Sequence, residues 1–382
     1  MSFLKNHDII IDVTAAITLN WSILKTQFVA IVNSQTEYWS REFQAQVISK
    51  DDSFEDVVLS LVSKGIVPVI QLDNDQSEFE FLKSLPRKSI IGWCYSDESL
   101  DTKFASRLSM LESLVVLLRP YHLNSFKVRN LFISLQYVTN NLVNTGTLKN
   151  ALKLILWYFR GISMSYREQK IRKIYNSVNL RYINFPLGYT DVFCSSLLTN
   201  SDIDVKSSSG SLLELTFHDR GEPKTHLVFV GQIGQIVRFV AIAAAQKTSF
   251  ARVITRSDYG AGSLLEKGVR EKGTEYLTTV LNSKFVLCPP GNISGNSFRI
   301  HETVLLGRIP IVLSHIASDP NFVTPFDFRA AQYRGQSWKK RIQETRQIPE
   351  DLYEVQAQEN LSILRCQIEE SKKVIGEYLN HF

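Results

Sequence analysis

Short apolar runs alternate with helix-patterned stretches through the first half of the chain. Five runs have the length and composition of buried strands: 9–13, 28–32, 67–72, 89–95 and 114–118. The stretches between them are long enough for helices, and one, 54–65, ends at Gly65, a residue suited to a helix C-terminus. Strands that alternate with helices predict parallel βαβ units, and therefore an α/β fold.

Residues 148–175 interrupt this alternation with a basic and aromatic stretch of helical character. One interpretation is a pair of amphipathic helices that cover the sheet, and this is favoured because such helices are common on globular domains. The other is a surface that touches anionic lipid or a lipid-linked acceptor, which would make the protein peripheral at the inner membrane face.

The second half of the chain begins a new α/β pattern. A strand and turn at 181–193 precede a polar segment, 202–211, that suits a linker or exposed loop. Residues 225–247 then predict a strand, a glycine turn and a helix, the opening of a second nucleotide-binding-type domain. A strand at 251–255, a helix at 271–283 and a long C-terminal amphipathic helix follow. The predicted organisation is an N-terminal domain at 1–205, a linker at 206–224, a second domain at 225–345 and a helical segment at 346–382.

Composition narrows the function. A chain of 382 residues suits two α/β domains, and a net charge of +5 fits an anionic ligand or a membrane surface. The dense basic stripe of nucleic-acid-binding proteins is missing. Four widely spaced cysteines, Cys94, Cys194, Cys288 and Cys366, predict reduced thiols rather than a disulfide scaffold or a zinc site. Since no apolar segment suits a signal peptide or a membrane span, the expected compartment is the cytoplasm.

The candidate chemistry lies in residues 283–315. An apolar strand there is stopped by Pro289, Pro290 and Gly291, and a polar loop leads to Asn296 or Ser297 as the cap of a helix that ends at Gly307. The N-terminus of that helix offers backbone N–H groups to an anion.

Two charged residues on this helix complete a predicted nucleotide site. Arg299 lies in the first turn and can donate two hydrogen bonds to phosphate oxygens. Glu302, three residues later, lies on the same helix face and can accept hydrogen bonds from two ribose hydroxyls. The alternative is an ordinary surface Arg–Glu pair, worth about 0.2–0.5 kcal/mol.

The order and spacing of these residues resemble a known family. The strings SKFVLCPPG (283–291), SFRIHE (297–302) and GRIPIV (307–312) closely resemble the signature of exostosin-like glycosyltransferases, a resemblance that is firm over 225–345. Three positions depart from the family's usual residues, namely Pro290, Thr303 and Arg308, and they leave the identity of the donor open.

The resemblance implies a GT-B fold, in which two Rossmann-like domains face a cleft and a C-terminal helix packs back. It implies transfer of a sugar from a nucleotide diphosphate, expected to be a UDP-sugar, to a glycan or lipid-linked acceptor in cell-surface polysaccharide synthesis. Inversion at the sugar carbon, no required metal and no separate cofactor are also implied. By analogy, Arg238, which follows Gly231 in the first glycine turn, would reach the diphosphate, with a buried salt-bridge arginine as the alternative.

The general base is expected to come from the N-terminal domain. Asp12 ends the first predicted strand, where similar enzymes place a catalytic group, although an aspartate there also caps turns. His315, just past the strand at 309–314, is a candidate sugar contact at the ligand edge of a parallel sheet. His301 points about 100° away from Glu302 on the helix and is interpreted as packing or as a donor contact.

Two other functions remain open at this stage. Another GT-B-fold enzyme, such as a nucleotide-sugar epimerase, would need a cluster of acidic and histidine groups that the sequence does not reveal. A non-catalytic nucleotide-sugar-binding partner would keep Arg299 and Glu302 and lack a working base.

Overall fold

The chain folds around two mainly parallel β-sheets covered by helices. The structure is a computed structural model that describes residues 28–51, 53–94, 101–119, 128–199, 211–214, 223–231, 233, 235–255, 269–289, 297–313 and 337–380. Among these residues, no helix combines the length and apolar character needed to cross a membrane. The predicted α/β class is confirmed.

The first sheet has six parallel strands in the order β2-β1-β3-β4-β5-β6. Its elements are β1 (Val29–Val32), α1 (Thr36–Phe43), β2 (Gln46–Ser49), α2 (Phe54–Ser63), β3 (Val69–Gln71), α3 (Gln76–Ser84), β4 (Ile90–Trp93), α4 (Thr102–Leu108), β5 (Leu114–Arg119), α5 (Val128–Asn141), α6 (Leu148–Ser177), β6 (Tyr182–Asn184) and α7 (Asp191–Leu198). The strands predicted within 28–32, 67–72, 89–95 and 114–118 are present. The strand predicted at 9–13 lies outside the described residues.

The second sheet has four parallel strands in the order β10-β9-β7-β8. Its elements are β7 (Thr225–Gly231), α8 (Ile236–Gln246), β8 (Ala251–Thr255), α9 (Val269–Leu281), β9 (Ser283–Leu287), α10 (Phe298–Leu305), β10 (Ile309–Ile311), α11 (Trp338–Glu344) and α12 (Glu350–Asn380). β7 pairs with β8 on one side and with β9 on the other, so the winding direction reverses between β7 and β9. Ligands of open parallel sheets bind outside the carboxyl ends of the strands at such a reversal.

Residues 148–175 form part of one helix, which corrects the expectation of a helix pair. α6 runs unbroken for 30 residues through Gly161, because a glycine costs a helix interior only about 1 kcal/mol and packing at both ends outweighs that. Ile171 and Tyr175, near its end, are buried in the core of the first sheet. Leu154, near its start, is buried with the core of the second sheet.

The C-terminal helix also joins the two sheets. Tyr353 and Ala357, in the first turns of α12, pack with β9 residues of the second sheet. Further along, Ile368 and Ile375 belong to a core cluster that contains strand residues of both sheets. The expectation that the C-terminal helix packs back on the chain is therefore met in the residues described.

Two residues of the predicted linker, Leu212 and Leu213, are packed and not exposed. Leu212 and Leu213 form a short 3-10 turn, Leu212–Glu214, and are buried in the core cluster that both sheets share. The buried carboxylate of Glu42 in α1 accepts hydrogen bonds from the Leu212 N–H, at 2.9 Å, and from the Ser211 hydroxyl. The polar composition of 202–211 predicted an exposed segment, but two leucines just beyond it are drawn into the core because burial of their side chains is favourable.

Candidate functional site

The candidate site lies at the carboxyl edge of the second sheet, between β7 and β9. α8 follows β7 and packs on one face of the sheet, while α10 follows β9 and packs on the other. Both helices therefore begin at the same edge, on either side of the point where the winding reverses. The N-terminus of each helix directs its partial positive charge to this edge.

Arg299, in the first turn of α10, is held against β7. Its guanidinium lies over the ring of Phe229, with 5.2 Å from Cζ to the ring centroid. A Cβ at Gly231 would come within 2.3 Å of Arg299 Nη2, and the glycine has a φ of +149°. Since Phe229 and Gly231 are two residues apart on one strand, both face the same side of the sheet. The absence of a side chain at Gly231 therefore leaves room for the Arg299 guanidinium.

Two polar side-chain atoms at the start of α10 have no hydrogen-bond partner among the residues that the structure describes. Ser297 is the N-cap residue, yet its hydroxyl makes no capping hydrogen bond. Its Oγ and the Arg299 Nε are both buried and hydrogen-bonded to no residue that the structure describes. Buried polar atoms almost always have partners, and leaving one unpaired costs about 1–3 kcal/mol. A donor pair at a helix N-terminus is suited to an anionic ligand.

Arg238 adds a second cation to this edge. It lies in the first turn of α8, and its pKa is lowered to about 10, first by burial and then by the positive charge of Arg299. Two guanidinium groups that repel each other in a partly buried site favour the binding of an anion between them. The positive charge of the site therefore favours a ligand with several negatively charged oxygens.

Glu302 lies next to this pair but is engaged by the protein. Its Oε1 accepts hydrogen bonds from the Thr190 hydroxyl, at 2.9 Å, and from the Thr190 N–H, at 3.3 Å. Its Oε2 accepts one from the Tyr276 hydroxyl, at 3.1 Å. Burial raises the pKa of Glu302, although these hydrogen bonds and Arg299 oppose the shift. The carboxylate thus joins α10 to the N-terminus of α7 and to α9.

His301 faces the first sheet's side of the molecule. The ring is buried, and its Nδ1 lies 3.2 Å from the carbonyl oxygen of Gly188, so Nδ1 carries the proton of the neutral ring. Burial lowers the pKa of His301 to about 4, and the hydrogen bond to Gly188 opposes that shift. His301 is therefore a neutral contact between α10 and the segment after β6, in agreement with its interpretation as a packing residue.

The structure brings together four of the predicted site residues: Arg299, Arg238, Gly231 and Ser297. Glu302 is adjacent to them. The predicted site also included Asp12, Gly291, Asn296 and His315. These residues lie outside the described part of the chain, and their predicted roles stay predictions.

Two of the positions that depart from the family pattern have structural contacts. The Thr303 hydroxyl donates to the Arg299 carbonyl at 2.5 Å, and buried Arg308 donates to the Leu281 carbonyl.

Three residues of this region escaped the sequence reasoning. Phe229 could have been found, because it alternates with Gly231 on a predicted strand and so faces the same side. Thr190 and Tyr276 could not, since they meet Glu302 from 112 and 26 residues away along the chain. Only the packing of α7 and α9 reveals them.

Within the ranges that the structure describes, no three His, Cys, Asp or Glu side chains are grouped so as to hold a metal ion.

Comparisons with known proteins leave the site to be interpreted on its own geometry. No protein-family model matches the chain, and no curated protein matches it in sequence.

Proposed function

We propose that this protein is a glycosyltransferase that binds the diphosphate of a nucleotide-sugar donor between the N-termini of α8 and α10. One observation carries the proposal: the Arg299 guanidinium lies beside Gly231 at the reversal point of a parallel sheet, and Arg238 lies in the first turn of neighbouring α8. Beside them, buried Arg299 Nε and Ser297 Oγ have no partner in the described chain. A diphosphate offers the acceptor oxygens that all these groups require.

The same geometry supports a role in the transfer step. When the bond between the sugar carbon and the diphosphate breaks, negative charge develops on the leaving diphosphate. Two fixed guanidinium groups and two helix N-termini stabilise that charge without moving, and such preorganised groups are an effective source of catalysis. The acceptor hydroxyl must lose its proton to a general base as the new glycosidic bond forms. Asp12 stays the predicted base.

Glu302 is proposed to contact the ribose. Among the residues described, only Tyr276 donates to its Oε2, and a carboxylate oxygen can accept a second hydrogen bond. A ribose hydroxyl placed beside Tyr276 would therefore find an acceptor without displacing Thr190 from Oε1. In this proposal Glu302 both holds α10 in position and orients the nucleoside.

The finer assignment follows the sequence resemblance. We propose an exostosin-like enzyme of GT-B arrangement, inverting and metal-independent, that uses a UDP-sugar and a glycan or lipid-linked acceptor in cell-surface polysaccharide synthesis. The two parallel sheets and the C-terminal helix that contacts the core of both are compatible with that arrangement. Work at the inner face of a membrane would bring such an acceptor to the site.

A nucleotide panel tests the proposal. UDP, GDP and CMP are each added to the purified protein, and the shift in melting temperature is measured, since a ligand that binds the folded state raises it. We expect a shift with a nucleoside diphosphate that Arg299→Ala abolishes. Arg252→Ala, an exposed arginine on neighbouring β8, is the matched control and should keep the full shift. The absence of any shift with the wild-type protein would contradict the proposal.

A further inference from the structure

The outer face of α6 exposes apolar side chains to solvent. Six large apolar or aromatic side chains on this helix are exposed, by 37% to 79%: Leu148, Leu152, Ile155, Leu156, Phe159 and Tyr166. At about 100° per residue, they fall within an arc of about 100°. The inward side is different, because Leu154 and Trp157 pack on the core of the second sheet. The helix is therefore apolar on two sides, and the outer one faces solvent.

A row of basic residues borders this apolar stripe. Lys149, Lys153, Arg160 and Arg167 are exposed and fall within about 40° of one another, directly beside the stripe. The chain contains no aspartate or glutamate from 113 to 167. An apolar stripe with a purely basic border is the pattern of helices that lie in the interface of an anionic membrane. We call this surface, the six apolar and four basic residues together, the α6 outer face.

A cavity opens beside the basic border. It has a volume of about 480 Å³, lies between α6 and α8, and includes Lys153, Arg160 and Trp157 in its lining. Gln235 and Phe239 of the α8 region form the opposite wall. A phosphate headgroup held here would contact two cations while its acyl chains lay along the apolar stripe.

We propose that the α6 outer face docks the protein on a bilayer that contains anionic phospholipid. Apolar side chains enter the interface between headgroups and acyl chains, and the basic border contacts lipid phosphates. A second copy of the chain is a poorer occupant, because a two-fold interface places the same patch against itself, and this patch has no acidic residue to pair with its basic border. This inference does not depend on the nucleotide site, although docking there would bring a lipid-linked acceptor to it.

Vesicle sedimentation tests the docking. The full chain is mixed with phosphatidylcholine vesicles prepared with and without phosphatidylglycerol, at low and at high salt. We expect binding to the anionic vesicles that falls as salt screens the charges. Equal binding to both vesicle types, or none to either, would overturn the proposal.

Three sets of variants assign the binding to this surface. The triple change Leu152→Gln, Leu156→Gln and Phe159→Gln should weaken binding to anionic vesicles at least about tenfold, because apolar burial is lost. Lys153→Gln with Arg160→Gln should remove the preference for anionic over neutral vesicles. The matched control is Leu59→Gln, Met110→Gln and Val355→Gln, three exposed apolar residues on other elements, and it should bind like the wild type.

Two further readings separate the alternatives. Circular dichroism and melting temperature show whether each variant is folded. The changed side chains are exposed to solvent, so we expect the helix content to be unchanged. Analytical ultracentrifugation without lipid shows the oligomeric state. A dimer of the wild type that the apolar triple change dissociates would identify a second copy as the occupant and overturn the lipid proposal. Nucleotide binding is measured on the same variants and should be unaffected.

Discussion

At the scale of single residues, the site depends on how Arg299 is held. Its guanidinium occupies space that a side chain at position 231 would fill, and it lies against the ring of Phe229. The sequence predicted Arg299, Arg238, Gly231 and Ser297 as neighbours because a parallel α/β unit brings strand ends and helix starts to one edge. It could not predict that Gly231 leaves room for Arg299, since that contact joins β7 to α10, which lie far apart in the sequence.

Gly231→Ala should displace Arg299. The new Cβ would meet Nη2 of the guanidinium, and the positive φ is unfavourable for alanine, so we expect a loss of stability of about 1–3 kcal/mol and weaker diphosphate binding. Gly161→Ala is the control, because a Cβ there meets nothing within 4 Å and alanine favours the helix. Urea denaturation gives the stabilities. If Gly231→Ala costs as much in an Arg299→Ala background, the clash with Arg299 is not its cause.

His301 predicts an acid sensitivity with a defined sign. Its pKa is about 4 in the folded protein, against an ordinary value of 6.5 for an exposed histidine. Between these two pH values the unfolded chain binds more protons than the folded one, so the stability of the fold falls as the pH falls. The loss should total about 3 kcal/mol. His301→Asn keeps a donor for the Gly188 carbonyl and removes the titration.

The measurement is the free energy of unfolding against pH for both proteins. The advantage of the wild type over His301→Asn should shrink by that amount from pH 7 to about 4. An unchanged difference across this range would show that His301 is not buried in its neutral form.

At the scale of elements, α10 is the helix that joins the site to the rest of the molecule. Its Glu302 accepts hydrogen bonds from the start of α7 and from α9, and its His301 contacts the segment after β6.

Most strands and helices could be predicted from the sequence, since their apolar runs are distinct. β2 was missed because its four residues are exposed or only partly buried, and residues 148–175 were predicted as a pair of helices although they belong to one helix.

Glu302→Ala should destabilise the fold by about 2–4 kcal/mol, because it leaves the hydroxyls of Thr190 and Tyr276 without their acceptor. Glu302→Gln keeps an amide oxygen for Thr190 and should cost less than half as much. Thermal unfolding of both variants checks this. An alanine variant as stable as the wild type would show that Glu302 does not hold α10 in place.

At the scale of the whole molecule, two long helices connect the two sheets. α6 and α12 each have one end packed on the second sheet, and at the other end α6 packs on the first sheet and α12 on the cluster that both sheets share. The sequence predicted two domains with a linker, because each half carries its own βα pattern. It could not predict the bridging, since neither helix shows in its own pattern which sheet it will contact.

Ile368→Ala should therefore destabilise both sheets at once. This α12 residue is 1% exposed in the cluster that contains strands of both sheets, and its truncation should cost about 2–5 kcal/mol. Hydrogen exchange of the strand amides measures each sheet separately. Val355→Ala, on the exposed side of α12, should change little. Loss of protection in one sheet alone would show that the two unfold independently.

The most direct measurement of the central claim is calorimetric titration of the wild type, Arg299→Ala and Arg299→Lys with UDP and with uridine. The diphosphate should bind the wild type more tightly than the nucleoside. Arg299→Ala should remove most of that advantage, and Arg299→Lys should restore only part of it, because an ammonium lacks the two-pronged geometry. UDP binding that exceeds uridine binding by the same factor in all three proteins would contradict the assignment of this edge to a diphosphate.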